Sequence, residues 1–242
     1  MIAMPQVSHP ASLEPTSYDF ATARFNMVEG QLRPNKVTDL RLLAAMGEIP
    51  RELFVPSTLV DVAYADENIP LIADRMLMQP MVLARLMQAA EVTPQDRVLD
   101  LAPATGYSTL VFAALAHTVI GVEPDAVLYK EAETNAAKYA PGRVSVLAGA
   151  PVEGCISHPP HAPFDVIFIN GSAEFLPEAI FNQLAEGGRL VVVMRQYGPA
   201  HAAHTGQARL YRKTNGTITW TPLFDANIPL APGFVMPRGF TF

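Results

Sequence analysis

Apolar residues recur at three- and four-residue intervals in Val37–Ile49 and again in Pro80–Ala90. That spacing predicts two helices, each burying one face. Thr38 is placed to cap the first and Pro50 to stop it, while Pro80 suits the first turn of the second. Arg51–Pro56 reads as a short turn between them, so residues 20–90 form a mostly helical preface. After Glu91 the pattern changes. Continuous apolar runs fall at Arg97–Leu101, Thr118–Glu123, Val144–Leu147, Phe164–Asn170 and Gly188–Met194. Helical stretches at Thr109–Ala116, Pro124–Tyr139 and Phe175–Leu184 separate most of them. Runs without strict alternation fit strands buried on both faces, hence a parallel sheet. Near the end, Ala208–Lys213 and Thr217–Phe224 alternate apolar and polar residues around Asn215-Gly216, a hairpin turn signal. The expected fold is α/β: a doubly wound, mostly parallel seven-stranded sheet with an antiparallel C-terminal hairpin and a helical N-terminal preface. Its divisions are a proline- and serine-bearing mobile arm (1–19), the preface (20–90), the α/β domain (91–225) and an extended tail (226–242).

Composition narrows the function. The chain has 242 residues, half of them hydrophobic, enough for one sizeable core. A net charge of −6 without a dense Lys/Arg cluster argues against nucleic acid as a partner. The apolar runs are too short to span a bilayer, and the first twenty residues do not pattern as a signal peptide. Cys155 is the only cysteine, which fits a reducing, cytoplasmic setting. The apolar, proline-rich end from Pro229 to Phe242 needs a covering surface, either its own core or a second copy in a homodimer.

Ligands of such sheets lie beyond the carboxyl ends of the strands. The candidates are therefore Asp100 with the turn through Gly106, then Glu123, Gly149-Ala150, and Asn170-Gly171-Ser172. An acid about twenty residues after such a turn can accept hydrogen bonds from ribose hydroxyls. The turn itself, Ala102-Pro103-Ala104-Thr105-Gly106, keeps one glycine. Each alanine standing for a glycine costs about 1 kcal/mol if its φ is positive. A dinucleotide-dependent oxidoreductase fits poorly, because the first turn lacks the glycine pattern that approach to a pyrophosphate requires.

These residues resemble the protein-L-isoaspartate O-methyltransferases, which use S-adenosylmethionine. The resemblance runs from about Met27 to Phe234. Met27–Arg33, Ile49–Pro56 and Ala63–Asp66 look like the family's N-terminal signatures. Val98–Tyr107 falls on its cofactor loop, and Phe164–Ile167 and Leu184–Val191 on its later motifs. The resemblance implies a Rossmann-like methyltransferase fold. It assigns S-adenosylmethionine to Asp100, Ala102, Thr105, Gly106, Tyr107, Glu123, Pro124, Gly149, Ala150 and Asn170, and the acceptor to Arg75, Met78 and Gln79. The implied activity is methyl transfer to a carboxylate in isoaspartyl protein repair, or to an altered acceptor, so the implied partner is a protein or peptide substrate or a small molecule.

Three departures stand out. Where the family carries Gln-Thr-Ile-Ser, this chain has Arg75-Met76-Leu77-Met78, so Met78 takes the active-site serine position and no catalytic residue is assigned. Ala102 and Ala104 replace loop glycines, and Ala150 replaces an aspartate directed toward the adenine end. A carboxylate acceptor is already ionised at neutral pH, so methyl transfer rests on alignment and exclusion of water rather than a general base. A more apolar centre points to an altered acceptor, with Arg75 read either as a partner for its carboxylate or as a solvated surface charge. Ser172 or Tyr197 could replace the missing hydroxyl. The alternative is a binding or regulatory protein on the same fold without turnover. The histidine pairs His158/His161 and His201/His204 lack a third ligand nearby in sequence, and no metal is expected.

Overall fold

The computed structural model describes residues 19–72, 74–156, 162–195 and 205–236. Most of the arm and both histidine pairs lie outside the described residues.

The preface begins with α1 (Phe20–Met27), capped by the Asp19 carboxylate, and continues as a π-helical turn over Val28–Leu32. Helix α2 (Leu40–Glu48) buries Leu42, Leu43, Ala45 and Met46, the stripe expected from its apolar spacing. Its cap is Asp39, not Thr38: Asp39 Oδ1 accepts from the backbone of Arg41 at 2.9 Å and of Leu42 at 3.4 Å. Thr38 instead donates its own N–H to Gln88 at 2.6 Å. Two short 3-10 turns, Arg51–Phe54 and Ser57–Val62, lead to a hairpin of β1 (Ile69–Pro70) and β2 (Met76–Leu77). Helix α3 (Pro80–Ala89) follows with proline at its start.

The sheet contains β3 (Arg97–Leu101), β4 (Thr118–Glu123), β5 (Val144–Ala148), β6 (Phe164–Ala173), β7 (Leu184–Met194), β8 (Gly206–Thr214) and β9 (Thr217–Ala226). Their spatial order is β5-β4-β3-β6-β7-β8-β9. The first five run parallel; β8 and β9 are antiparallel. The order reverses beside β3, which creates the crevice at its carboxyl end. Helices α4 (Tyr107–Leu115) and α5 (Ala126–Tyr139) follow β3 and β4. Helix α6 (Glu178–Asn182) is half as long as its apolar pattern suggests. Pro177 stands at its N-cap, and Leu184 already belongs to β7, so the segment has room for little more than one turn.

One face of the sheet packs against α2, α3 and α4; Phe112 and Phe168 meet there at 5.2 Å between ring centres. The other face is covered by α6 and by the tail, with Phe234 fully buried. The described part of the tail, residues 226–236, thus lies on the chain's own core. Leu230 bridges Ser172 in parallel fashion, Ser172 N–H donates to Pro229 O at 2.8 Å, and Ala231 N–H returns to Ser172 O at 2.8 Å. Strand β6 does not stop at Asn170, as the apolar run suggested. It shifts register against β7 between Phe168 and Ser172 and continues to Ala173. Gly171, at φ +152°, allows this approach: a Cβ there would sit 2.8 Å from that of Ala231.

Candidate functional site

Strand β3 delivers Asp100 fully buried to the crevice. Its Oδ2 accepts hydroxyl bonds from Ser108 at 2.6 Å and Thr109 at 2.8 Å, both in the first turn of α4. Oδ1 has no partner among the described residues. Burial raises its pKa to about 7, opposed by the two hydroxyls and reinforced by the charge of Glu123. Asn170, at the bulge of β6, donates to the Ser108 hydroxyl at 2.7 Å and so ties the neighbouring strand into this network.

The turn between β3 and α4 adopts left-handed backbone at three positions: Ala102 at φ +62°, Ala104 at +55° and Gly106 at +90°. Ala102 and Ala104 thus sit in backbone that favours glycine, at the cost of strain at two residues. Both methyl groups are buried. Gly106 caps α4 and packs against Ala132 of α5, which a side chain would crowd at 3.2 Å.

Glu123 ends β4 with no exposed surface. Its Oε2 accepts from Ala104 N–H at 2.8 Å and its Oε1 from Asp125 N–H at 3.1 Å. Arg75 completes its surroundings: Nη1 reaches Oε1 at 2.5 Å and Nη2 reaches Oε2 at 3.1 Å. The same Nη2 donates to the Ala102 carbonyl at 2.7 Å. Arg75 is therefore neither a solvated surface charge nor a free partner for an acceptor carboxylate. It is buried as the two-pronged mate of Glu123, because the β1–β2 hairpin folds over the ends of β3 and β4.

The remaining assigned residues divide. Met78 is buried; its carbonyl accepts from Nη2 of the wholly buried Arg51 at 2.8 Å. Gln79 stands at the N-cap of α3, its N–H bonded to Asn68 at 3.0 Å. Pro124 and Ala150 are exposed, and Gly149 N–H donates to Glu123 O at 3.3 Å. The side chains of Thr105 and Tyr107 turn away to the preface, because the first turn of α4 rotates them there. The Thr105 hydroxyl donates to Phe54 O at 2.9 Å, and the Tyr107 ring packs edge-on against Phe54 with Arg51 over its face. Ser172 is not a replacement hydroxyl, since it is buried and donates to Ile228 O at 2.8 Å. Tyr197 lies outside the described residues. Sequence reasoning missed Ser108, Thr109 and Asp125; two hydroxyls opening a helix beneath a strand-ending acid were the available signal.

Beside the strand ends, between Arg75, Met76 and Met78 on one side and Asn170, Gly171 and Leu230 on the other, lies a small cavity of about 20 Å³. The donors and acceptors at the strand ends suit a nucleoside in kind, and Arg75 is bonded to both oxygens of Glu123 and to the Ala102 carbonyl. A larger open cleft of about 520 Å³ lies between the preface and α5, bordered by Leu53, Leu71, Ile72, Thr105 and Asn135. Among the described residues no His, Cys, Asp or Glu cluster could hold a metal, and no helix is long and apolar enough to cross a membrane.

Comparison with known proteins bears on this geometry. The profile of the family "Protein-L-isoaspartate(D-aspartate) O-methyltransferase (PCMT)" matches residues 24–227. A protein-L-isoaspartate O-methyltransferase of Koribacter versatilis is 35% identical over 212 residues, 87% of this chain and 91% of the relative. One of Methanoculleus marisnigri is 36% identical over 168 residues, 69% of this chain and 75% of that protein. Among solved structures, a protein-L-isoaspartate O-methyltransferase superposes with a TM-score of 0.74 at 24% identity, covering 87% of this chain and 66% of its own. A Plasmodium falciparum protein described as a putative member, in complex with S-adenosyl-L-homocysteine, gives 0.69 at 20% identity, covering 86% and 97%. At these identities the two structures speak for the fold.

Proposed function

This chain belongs to the protein-L-isoaspartate(D-aspartate) O-methyltransferase family, and we propose that it is an S-adenosylmethionine-dependent methyltransferase with an acceptor other than the isoaspartyl group. The observation that carries the cofactor reading is Glu123, held at the end of β4 by the Ala104 and Asp125 N–H groups beside a turn that keeps its left-handed path. Residues that would border the cofactor are Glu123, Asp100, Ala102, Gly106 and Asn170. When bound, it supplies an electrophilic methyl group.

The acceptor reading rests on the hydroxyls. Met78 fills the serine position with a buried thioether side chain, and the nearby hydroxyls of Ser108, Thr109, Thr105 and Ser172 are each committed to an acceptor within the protein. Met76 and Met78 make the wall apolar. An acceptor carboxylate set in an apolar molecule suits it better than the polar backbone of an isoaspartyl peptide. Calorimetric titration with S-adenosylhomocysteine, followed by methyl transfer to an isoaspartyl peptide, tests both parts. We expect measurable cofactor binding and no peptide methylation; absence of binding at millimolar ligand removes the cofactor reading, and rapid peptide methylation removes the acceptor reading.

One observation favours a second reading, a binding or regulatory protein without turnover: Arg75 already occupies both oxygens of Glu123. The same titration separates the two.

A further inference from the structure

We infer that Arg75 is a built-in occupant of the ribose position, a latch that any nucleoside must expel from Glu123. The inference rests on the cofactor reading above and concerns what governs access to that same site.

Its basis is the acceptor capacity of one carboxylate. An ionised carboxylate offers about four lone-pair sites. Glu123 receives four donors: Ala104 N–H, Asp125 N–H, and Nη1 and Nη2 of Arg75. The two backbone donors belong to the turns after β3 and β4 and fix the carboxylate in place. The other two arrive together from a single side chain. Glu123 is therefore saturated, with nothing left for a sugar hydroxyl. Removal of Arg75 alone frees two adjacent acceptor sites, the number a ribose diol uses.

The hairpin is built so that the side chain can leave without its backbone. Arg75 N–H donates to Ile72 O at 2.9 Å, and its carbonyl accepts from Leu71 N–H at 2.8 Å. Neither bond involves the guanidinium. Asp74, next in the chain, is exposed with φ +59°, and Ile72 is exposed too, so solvent lies one residue from the buried side chain. Rotation about the side-chain bonds carries the guanidinium out to water, where its charge is well solvated. Departure also vacates the Ala102 carbonyl. The pair is buried and two-pronged, the geometry in which loss of one partner is most costly. A ligand that replaces Arg75 recovers only part of that loss, so the latch weakens binding without abolishing it.

The test is titration of S-adenosylhomocysteine into the full chain and into Arg75→Gln, Arg75→Lys and Arg75→Ala, with circular dichroism confirming each fold. Arg75→Gln should bind about tenfold to a hundredfold tighter than the parent. Arg75→Lys, with a compact head that cannot grip both oxygens, should fall between. A crystal structure of the parent with S-adenosylhomocysteine should show the guanidinium away from Glu123. Equal affinity in parent and Arg75→Gln, or a bound nucleoside with Arg75 still paired, overturns the latch and leaves the cofactor reading standing. If no folded variant binds at millimolar ligand, the cofactor reading itself has failed and the latch falls with it.

Discussion

The carboxylate of Asp100 and the hydroxyl of Ser108 lie 2.6 Å apart, with no exposed surface on the acid and almost none on the serine. Burial dominates there, and it raises the pKa of Asp100 to about 7 from an ordinary value of 3.8. Between those values the folded protein holds a proton that the unfolded chain has released. Stability therefore falls as pH rises from about 4 to about 7, by at most about 1.4 kcal/mol per pH unit from this group. Urea denaturation across that range should show the slope, and Asp100→Asn should flatten it. An unchanged slope in the variant would assign the effect to other groups. Glu123 and Arg75 face the same acid, so the comparison is made with both intact.

Ala102 and Ala104 carry φ values of +62° and +55°. Left-handed backbone is unfavourable for alanine, and a glycine at such a position is expected to raise stability by about 0.5–1 kcal/mol. Ala102→Gly and Ala104→Gly should each raise the denaturation midpoint, and together should tighten nucleoside binding by removing two methyls from the turn. Loss of stability in both variants would mean that the buried methyl contacts outweigh backbone strain.

Arg189 reaches from β7 to Asp96 at 2.6 Å and also donates to the carbonyls of Ala90 and Glu91 at 2.9 and 2.8 Å. It joins the last turn of the preface to the middle of the sheet. Arg189→Met removes all of these donors and leaves a nearly buried carboxylate without its mate. We expect a loss of about 3–5 kcal/mol, read by chemical denaturation. A change below about 1 kcal/mol would show that water readily replaces the guanidinium.

Phe234 is fully buried against the sheet although it lies near the chain's end. Phe234→Ala should cost about 3–5 kcal/mol and expose the segment after β9 to limited proteolysis. This docking covers Ile228, Ala231 and Phe234 of the tail, while Val235 and Met236 stay exposed. Resistance of the variant to cleavage would contradict the account.

Much of the architecture was readable from local pattern. Five apolar runs became the parallel strands, and Asn215, at φ +51°, begins the hairpin turn where Asn-Gly predicted it. Such features depend on residues within about ten positions of one another, and burial imprints its period directly on them. Boundaries failed where a longer contact intervened. Asp39 caps α2 in place of Thr38, and Gln88 from α3 holds the backbone N–H groups of both. Strand β6 outran its apolar stretch because the tail pairs with Ser172.

By itself the sequence determined the alternation of strands and helices, the hairpin, and an acid at the end of β4, because each follows from neighbouring residues and the sidedness of burial. Tertiary structure decided what that acid does. Arg75 and Glu123 are 48 positions apart, and no periodicity links them. They meet because the β1–β2 hairpin folds across two adjacent strand ends, where a charge removed from water must find its opposite.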